Sequence, residues 1–149
     1  MNLFGMLEIS GSAMTAERQR AQIVTSNMAN AQTTRSAQGG PYRRQLTVFR
    51  SLRHQQFPSM MTLAMAGGGR VGSGEGVRVE QVVSDPKPPV LRYEPGHPDA
   101  DSQGYVAYPA VDPVEEMADL LGAVRAYELN ASAIAATKGM IQQSLEILK

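Results

Sequence analysis

The chain has 149 residues with no Cys, no Trp and only 5% aromatic residues, which excludes disulfides, thiolate metal sites and a large aromatic core. Its formal charge is zero, yet residues 1–70 hold eight Arg against two Glu, while residues 71–149 hold six basic and twelve acidic groups. The basic half has scattered Arg and no Lys, so it lacks the clustered stripe of a nucleic-acid binder; a solvated surface is the plainer reading, and head-to-tail pairing with copies or relatives through complementary fields the sharper one.

The opening Met-Asn-Leu-Phe-Gly-Met-Leu-Glu has no basic region, and Glu8 interrupts its apolar run, so it does not read as a cleavable signal peptide. No segment approaches the ~18–20 apolar residues of a membrane span, and membrane insertion is not expected. Residues 2–31 are free of Pro and predict a helix about 45 Å long at ~1.5 Å per residue. Its three-four spacing runs through Leu3, Leu7, Ser10, Met14, Glu17, Ala21, Val24, Met28 and Ala31, with Ile9, Ala13, Ala16 and Ile23 widening the stripe. Gly5 and Gly11 each cost about 1 kcal/mol relative to Ala, so this helix is marginal alone.

Eight of the nine prolines fall between this helix and the last segment, so the middle reads as strands, turns and loops. Strands are expected at 42–49, Val77–Val83, Val90–Tyr93 and Tyr105–Tyr108. Val77, Val79 and Val83 share one face, with Arg78 and Glu80 on the other. Pro58–Gly76 mixes Met with Gly and predicts a flexible insertion.

The last segment, 112–149, opens with Asp112-Pro113-Val114-Glu115: a capping carboxylate, a proline at the first helical position and an early acid. Its heptad is Met117, Leu120, Val124, Tyr127, Ala131, Ile134, Lys138, Ile141, Leu145 and Leu148. Nine of those ten positions are apolar or aromatic, the pattern of a coiled-coil-like seam. A Gly- and Pro-rich middle is a poor core for two such stripes, so they are expected to meet each other and neighbouring chains.

Signals of catalysis are weak. Gly67-Gly68-Gly69-Arg70-Val71-Gly72 has the spacing of a dinucleotide loop but does not lead into a helix, and no Lys-Ser/Thr pair makes it a phosphate loop. His97, Asp99 and Asp101 lie close in sequence without an obvious fourth ligand. Neither His54 nor His97 accompanies a nucleophile elbow. No enzyme activity, metal or cofactor is expected.

Ile9-Ser10-Gly11-Ser12-Ala13-Met14, Ser26-Asn27-Met28-Ala29-Asn30-Ala31 and Thr33-Thr34 resemble the N-terminal signature of flagellar rod, hook and related axial proteins. Asp112-Pro113-Val114-Glu115-Glu116-Met117 and Arg125-Ala126-Tyr127-Glu128-Leu129-Asn130 resemble their C-terminal signature. Gly39-Gly40-Pro41-Tyr42-Arg43-Arg44 and the stretch from Asp85-Pro86 to Tyr105-Val106-Ala107-Tyr108-Pro109 are similar to proximal rod members of that family. Residues 50–76 depart from it, since such proteins usually have a shorter connection there.

The resemblance implies an α+β fold: an N-terminal helix (1–34) and a C-terminal helix (112–149) paired in a coiled-coil-like arrangement, with a β-rich domain (35–111) between them. It implies a structural, torque-transmitting rod subunit in the periplasm, exported unfolded by the flagellar export apparatus. Its partners would be copies of itself, other rod proteins and basal-body ring or adaptor proteins. The assembly interface would use Leu3, Leu7, Met14, Ala21, Val24 and Met28 with Met117, Leu120, Val124, Tyr127, Ala131, Ile134, Ile141, Leu145 and Leu148. Asn27 and Asn30 would end the helix or bond between subunits. The alternative is a soluble coiled-coil adaptor or homodimer unrelated to flagella.

Overall fold

A computed structural model of the chain describes residues 3–37, 39–52 and 76–147. In chain order it contains α1 (Leu3–Ala29), β1 (Gln45–Ser51), β2 (Val77–Ser84), β3 (Val90–Tyr93), β4 (Tyr105–Tyr108) and α2 (Pro113–Ile147). The architecture is the α+β arrangement expected, with two long terminal helices packed on each other and short antiparallel sheets between them. Leu148, His54 and the glycine loop at 67–72 lie outside the described residues, as does all of the 58–76 insertion except Gly76.

Asn27 of α1 bonds Glu116 of α2, and Arg20 bonds Asp119. The pairs progress in opposite chain directions, so the helices are antiparallel. The start of α2 follows its sequence: Asp112 Oδ1 accepts the Val114 N–H at 2.9 Å, and the Asp112 carbonyl accepts the Glu116 N–H at 3.0 Å. The α1 end tightens around Asn30, whose backbone and side-chain N–H groups both reach the Ser26 carbonyl.

The line along which α2 is buried in the chain runs one position ahead of its apolar heptad. Glu116, Ala123 and Thr137 are buried, whereas Met117 and Val124 are exposed. Small and hydrogen-bonded side chains let the two backbones approach closely, and the bulkier apolar residues are displaced to the flank. Among the described residues the buried apolar side chains are only Ala16, Val24, Val106 and Ala123.

Strands β1 and β2 form an antiparallel ribbon from Gln45↔Ser84 to Ser51↔Val77. Val48 pairs with Gln81 and Phe49 with Val79, which leaves Glu80 as the extra residue of a bulge. Arg50 forms an ion pair with that carboxylate. The first strand begins at Gln45 rather than 42, because Tyr42 and Arg44 turn their side chains to the helices. Two successive glycines with positive φ, Gly39 (83°) and Gly40 (75°), reverse the chain just before them.

The ribbon rests on α1 at its root. Ser12 Oγ accepts the Val77 N–H at 3.0 Å while donating to the Ile9 carbonyl at 2.7 Å. A Cβ on Gly76 would lie 2.3 Å from that oxygen, so only glycine fits there. Strands β3 and β4 make a separate hairpin stiffened by the cross-strand pair Tyr93–Tyr105, with ring centroids 5.4 Å apart. Thr34 Oγ1 donates to Asp99 at 2.8 Å and ties this hairpin's turn to the chain just after α1.

Candidate functional site

Three distant segments converge on a buried polar cluster where the helices meet the β region. Glu116 is 0% exposed and comes from the first turn of α2. Its Oε1 accepts from Arg44 Nε at 2.5 Å, and its Oε2 accepts from Asn27 Nδ2 at 3.0 Å. Asn27 also makes a two-way bridge to the start of β1, donating to the Gln45 carbonyl at 2.8 Å and accepting the Gln45 N–H at 2.9 Å. Tyr42 Oη donates to the same Asn27 oxygen at 2.9 Å. Both side-chain polar atoms of Asn27 therefore have partners within the chain.

Arg44 is the enclosed cation of this latch. Its guanidinium lies 3.9 Å from Asp85, 3.7 Å from Glu115 and 3.8 Å from Asp119 in addition to the bond with Glu116. Burial opposes its charge, but the Glu116 hydrogen bond and the carboxylates of Glu116, Glu115 and Asp119 outweigh that and raise its pKa above the ordinary value. The Asp85 N–H also bonds the Arg44 carbonyl at 2.8 Å, which holds the end of β2 in place. Arg20 adds an outer pair to Asp119 at 3.0 Å. Chemically the cluster can hold parts together; its groups are paired with each other, and the cavity that Tyr42, Arg44 and Asp85 help to line is only about 20 Å³, room for about one water.

The proposed chemical alternatives become turn structure. His97 Nδ1 accepts the Asp99 N–H at 3.1 Å, Asp99 takes the Thr34 hydroxyl, and Asp101 accepts the N–H groups of Gln103 and Tyr105. Among the described residues no group of His and carboxylates is arranged to hold a metal, and no helix is long and apolar enough to cross a membrane.

The expected interface residues divide into two sets. On α1, Val24 is buried, and Leu3, Leu7, Met14, Ala21 and Met28 are half-buried. On α2, Leu120, Ala131, Ile134 and Ile141 are half-buried, whereas Met117, Val124, Tyr127 and Leu145 are exposed. Leu121 and Val114 extend the exposed apolar line towards the helix start. Asn27 is committed inside the chain, and Asn30 is used in the α1 terminus, where its Oδ1 accepts from Thr33 Oγ1.

Sequence patterning missed Arg44, Glu116, Tyr42 and Asp85 as a unit, because no local period joins residues this far apart. The available signal was the family motif itself: all four, with Asn27, lie within the segments that carry the resemblance.

A family model described as flagella basal body rod protein matches residues 7–35, and one described as the C-terminal part of flagellar basal body rod FlgEFG proteins matches residues 102–147. The chain is 42% identical to the flagellar basal-body rod protein FlgC of Bacillus subtilis, with both chains covered in full. The chain belongs to the FlgC family of flagellar basal-body rod proteins.

The FlgC proteins of Borreliella burgdorferi and Aquifex aeolicus are 36% and 34% identical, each across 100% of this chain and 99% of their own. The two family-model matches cover most of the two helices, together with the turns beside them and β4, and they contain Asn27 and Glu116. The protein is a structural subunit of the flagellar basal-body rod. No relative supports the unrelated-adaptor alternative.

Proposed function

We propose that the chain forms part of the proximal rod in the periplasm and transmits torque through its terminal helices, in a structural and non-catalytic role. It reaches that position through the flagellar export apparatus, and it packs against copies of itself, other rod proteins and basal-body ring or adaptor proteins. The observation that supports this best is the division between a chain closed by a polar latch and an α2 flank left apolar and open. Val114, Met117 and Leu121 are 76%, 54% and 54% exposed, and they recur at helical spacing together with Val124.

Such a flank on a long helix is the surface expected of a subunit whose burial is completed by neighbours. The interface residues are then Leu3, Leu7, Met14, Ala21, Val24 and Met28 on α1, acting by supporting the helix pair. On α2, Met117, Leu120, Val124, Tyr127, Ala131, Ile134, Ile141 and Leu145 flank or line the surface offered to neighbours. Cryo-microscopy of isolated basal bodies tests the proposal. It expects density for this chain in the proximal rod, with the α2 flank against other helices and the β region outward. A chain located outside the rod, or a rod in which this flank faces solvent, would overturn it.

A further inference from the structure

We propose that Glu8 of one copy pairs with Lys138 of a second copy and so pins the register between adjacent subunits; the inference rests on the rod-subunit reading above. The end of the helix pair away from the latch is poor in charge. Leu3–Ala16 of α1 carries one charged side chain, Glu8, and from Leu129 to Ile147 α2 carries two, Lys138 and, in its last turn, Glu146. Glu8 and Lys138 are both exposed, and neither takes part in a hydrogen bond or ion pair among the described residues.

Their surroundings are apolar and open. Phe4, Met6 and Ile9 are exposed on α1, as are Met140 and Leu145 on α2. Covering this end with a neighbouring chain removes water from both charges, and a charge left without a partner in that setting is strongly unfavourable. Among the described residues of this end, a second copy supplies a single basic side chain, Lys138, to meet Glu8. In a head-to-tail repeat, each subunit offers Glu8 to one neighbour and Lys138 to the other, which satisfies both without closing the assembly into a dimer. A single polar contact in an otherwise apolar seam also selects one register from several that pack equally well.

The absence of Cys from the chain gives a clean test. Glu8→Cys and Lys138→Cys chains are made together in flagellated cells, and the isolated basal bodies are treated with a mild oxidant. A reducible dimer containing one chain of each kind is expected, and it should be missing when either variant is made alone. Basal bodies that contain both variants but yield no mixed dimer overturn the pairing and leave the rod reading intact. Absence of the unsubstituted chain from basal bodies overturns both.

Charge exchange covers the case in which the cysteine variants fail to assemble. Glu8→Lys and Lys138→Glu should each abolish swimming, and swimming should return when the two chains are made together in one cell. Normal swimming by either single variant contradicts the pairing. So does rescue by both changes in one chain without rescue between chains, because that pattern assigns the contact to a single subunit.

Discussion

The two ends of the helix pair are built on opposite principles. Near the α1–β1 junction, Asn27, Arg44 and Glu116 are buried, polar and joined to one another. At the other end, Phe4, Met140 and Leu145 are exposed and apolar. The first arrangement completes itself within one chain, since each of its three side chains is hydrogen-bonded there and the Arg44 guanidinium is ringed by carboxylates. The second cannot do so, because its apolar surface has nothing of its own to pack on. The difference separates a buried polar cluster that closes the chain on itself from exposed apolar surfaces that it leaves uncovered, at Val114–Val124 beside the latch and at Met140 and Leu145 beyond it.

The largest expected effect breaks the latch. Glu116→Ala leaves the Arg44 guanidinium buried without its nearest carboxylate and should destabilise the chain by about 3–5 kcal/mol. Chemical denaturation of the purified protein would measure it, and a cost below about 1 kcal/mol would show that the cluster is not structurally important. At the ribbon's root, Gly76→Ala drives a methyl group into Ser12 Oγ and should cost about 1–3 kcal/mol. Adding Ser12→Gly removes the clash but also the acceptor of the Val77 N–H, so denaturation of the double variant should show only partial recovery.

On the exposed flank the expectation is reversed. Leu121→Asp should change the unfolding free energy of the isolated chain by no more than about 0.5 kcal/mol, as for ordinary surface sites. The same variant should be produced normally and excluded from basal bodies, which immunoblotting of cells and isolated rods would separate. The smallest effect belongs to the β3–β4 hairpin. The hydrogen bond from Tyr108 to Glu94, followed by burial and the Glu94 charge, raises the phenol's pKa above its ordinary value. This contact therefore contributes fully below the unfolded tyrosine range and is lost as pH rises through the folded value. Ultraviolet absorbance titration should show Tyr108 ionising at lower pH in Glu94→Ala.

Much of this division is visible in local sequence and some of it is not. Asp112-Pro113 marks the start of α2 because capping is a contact between near neighbours. The four strands follow from alternation and from proline-bounded turns, and their ranges differ from expectation mainly where Tyr42 and Arg44 leave the ribbon for the latch. The apolar heptad of α2 does not say which line meets α1, and Met117, Val124, Tyr127 and Leu145 of it are exposed in the chain. Close approach favours Ala123 and Thr137, residues that a search for bulky apolar side chains passes over. The latch is hidden for a different reason: Asn27, Arg44 and Glu116 have no common period, and a buried Glu in a helix's first turn looks like an ordinary dipole-favoured acid until the fold brings Arg44 to it.

Hydrogen exchange along the two helices of the isolated chain, verified as a monomer, tests the central claim most directly. The account predicts slow exchange around the latch, in α1 near Val24–Asn27, in β1 near Gln45 and in the early turns of α2 near Ala123. It predicts exchange at much faster rates over Leu3–Ser10 and Ile134–Ile147, falling sharply once the chain is in the rod. Equally strong protection from end to end of both helices in the monomer would contradict it, because the apolar end would then be complete without neighbours.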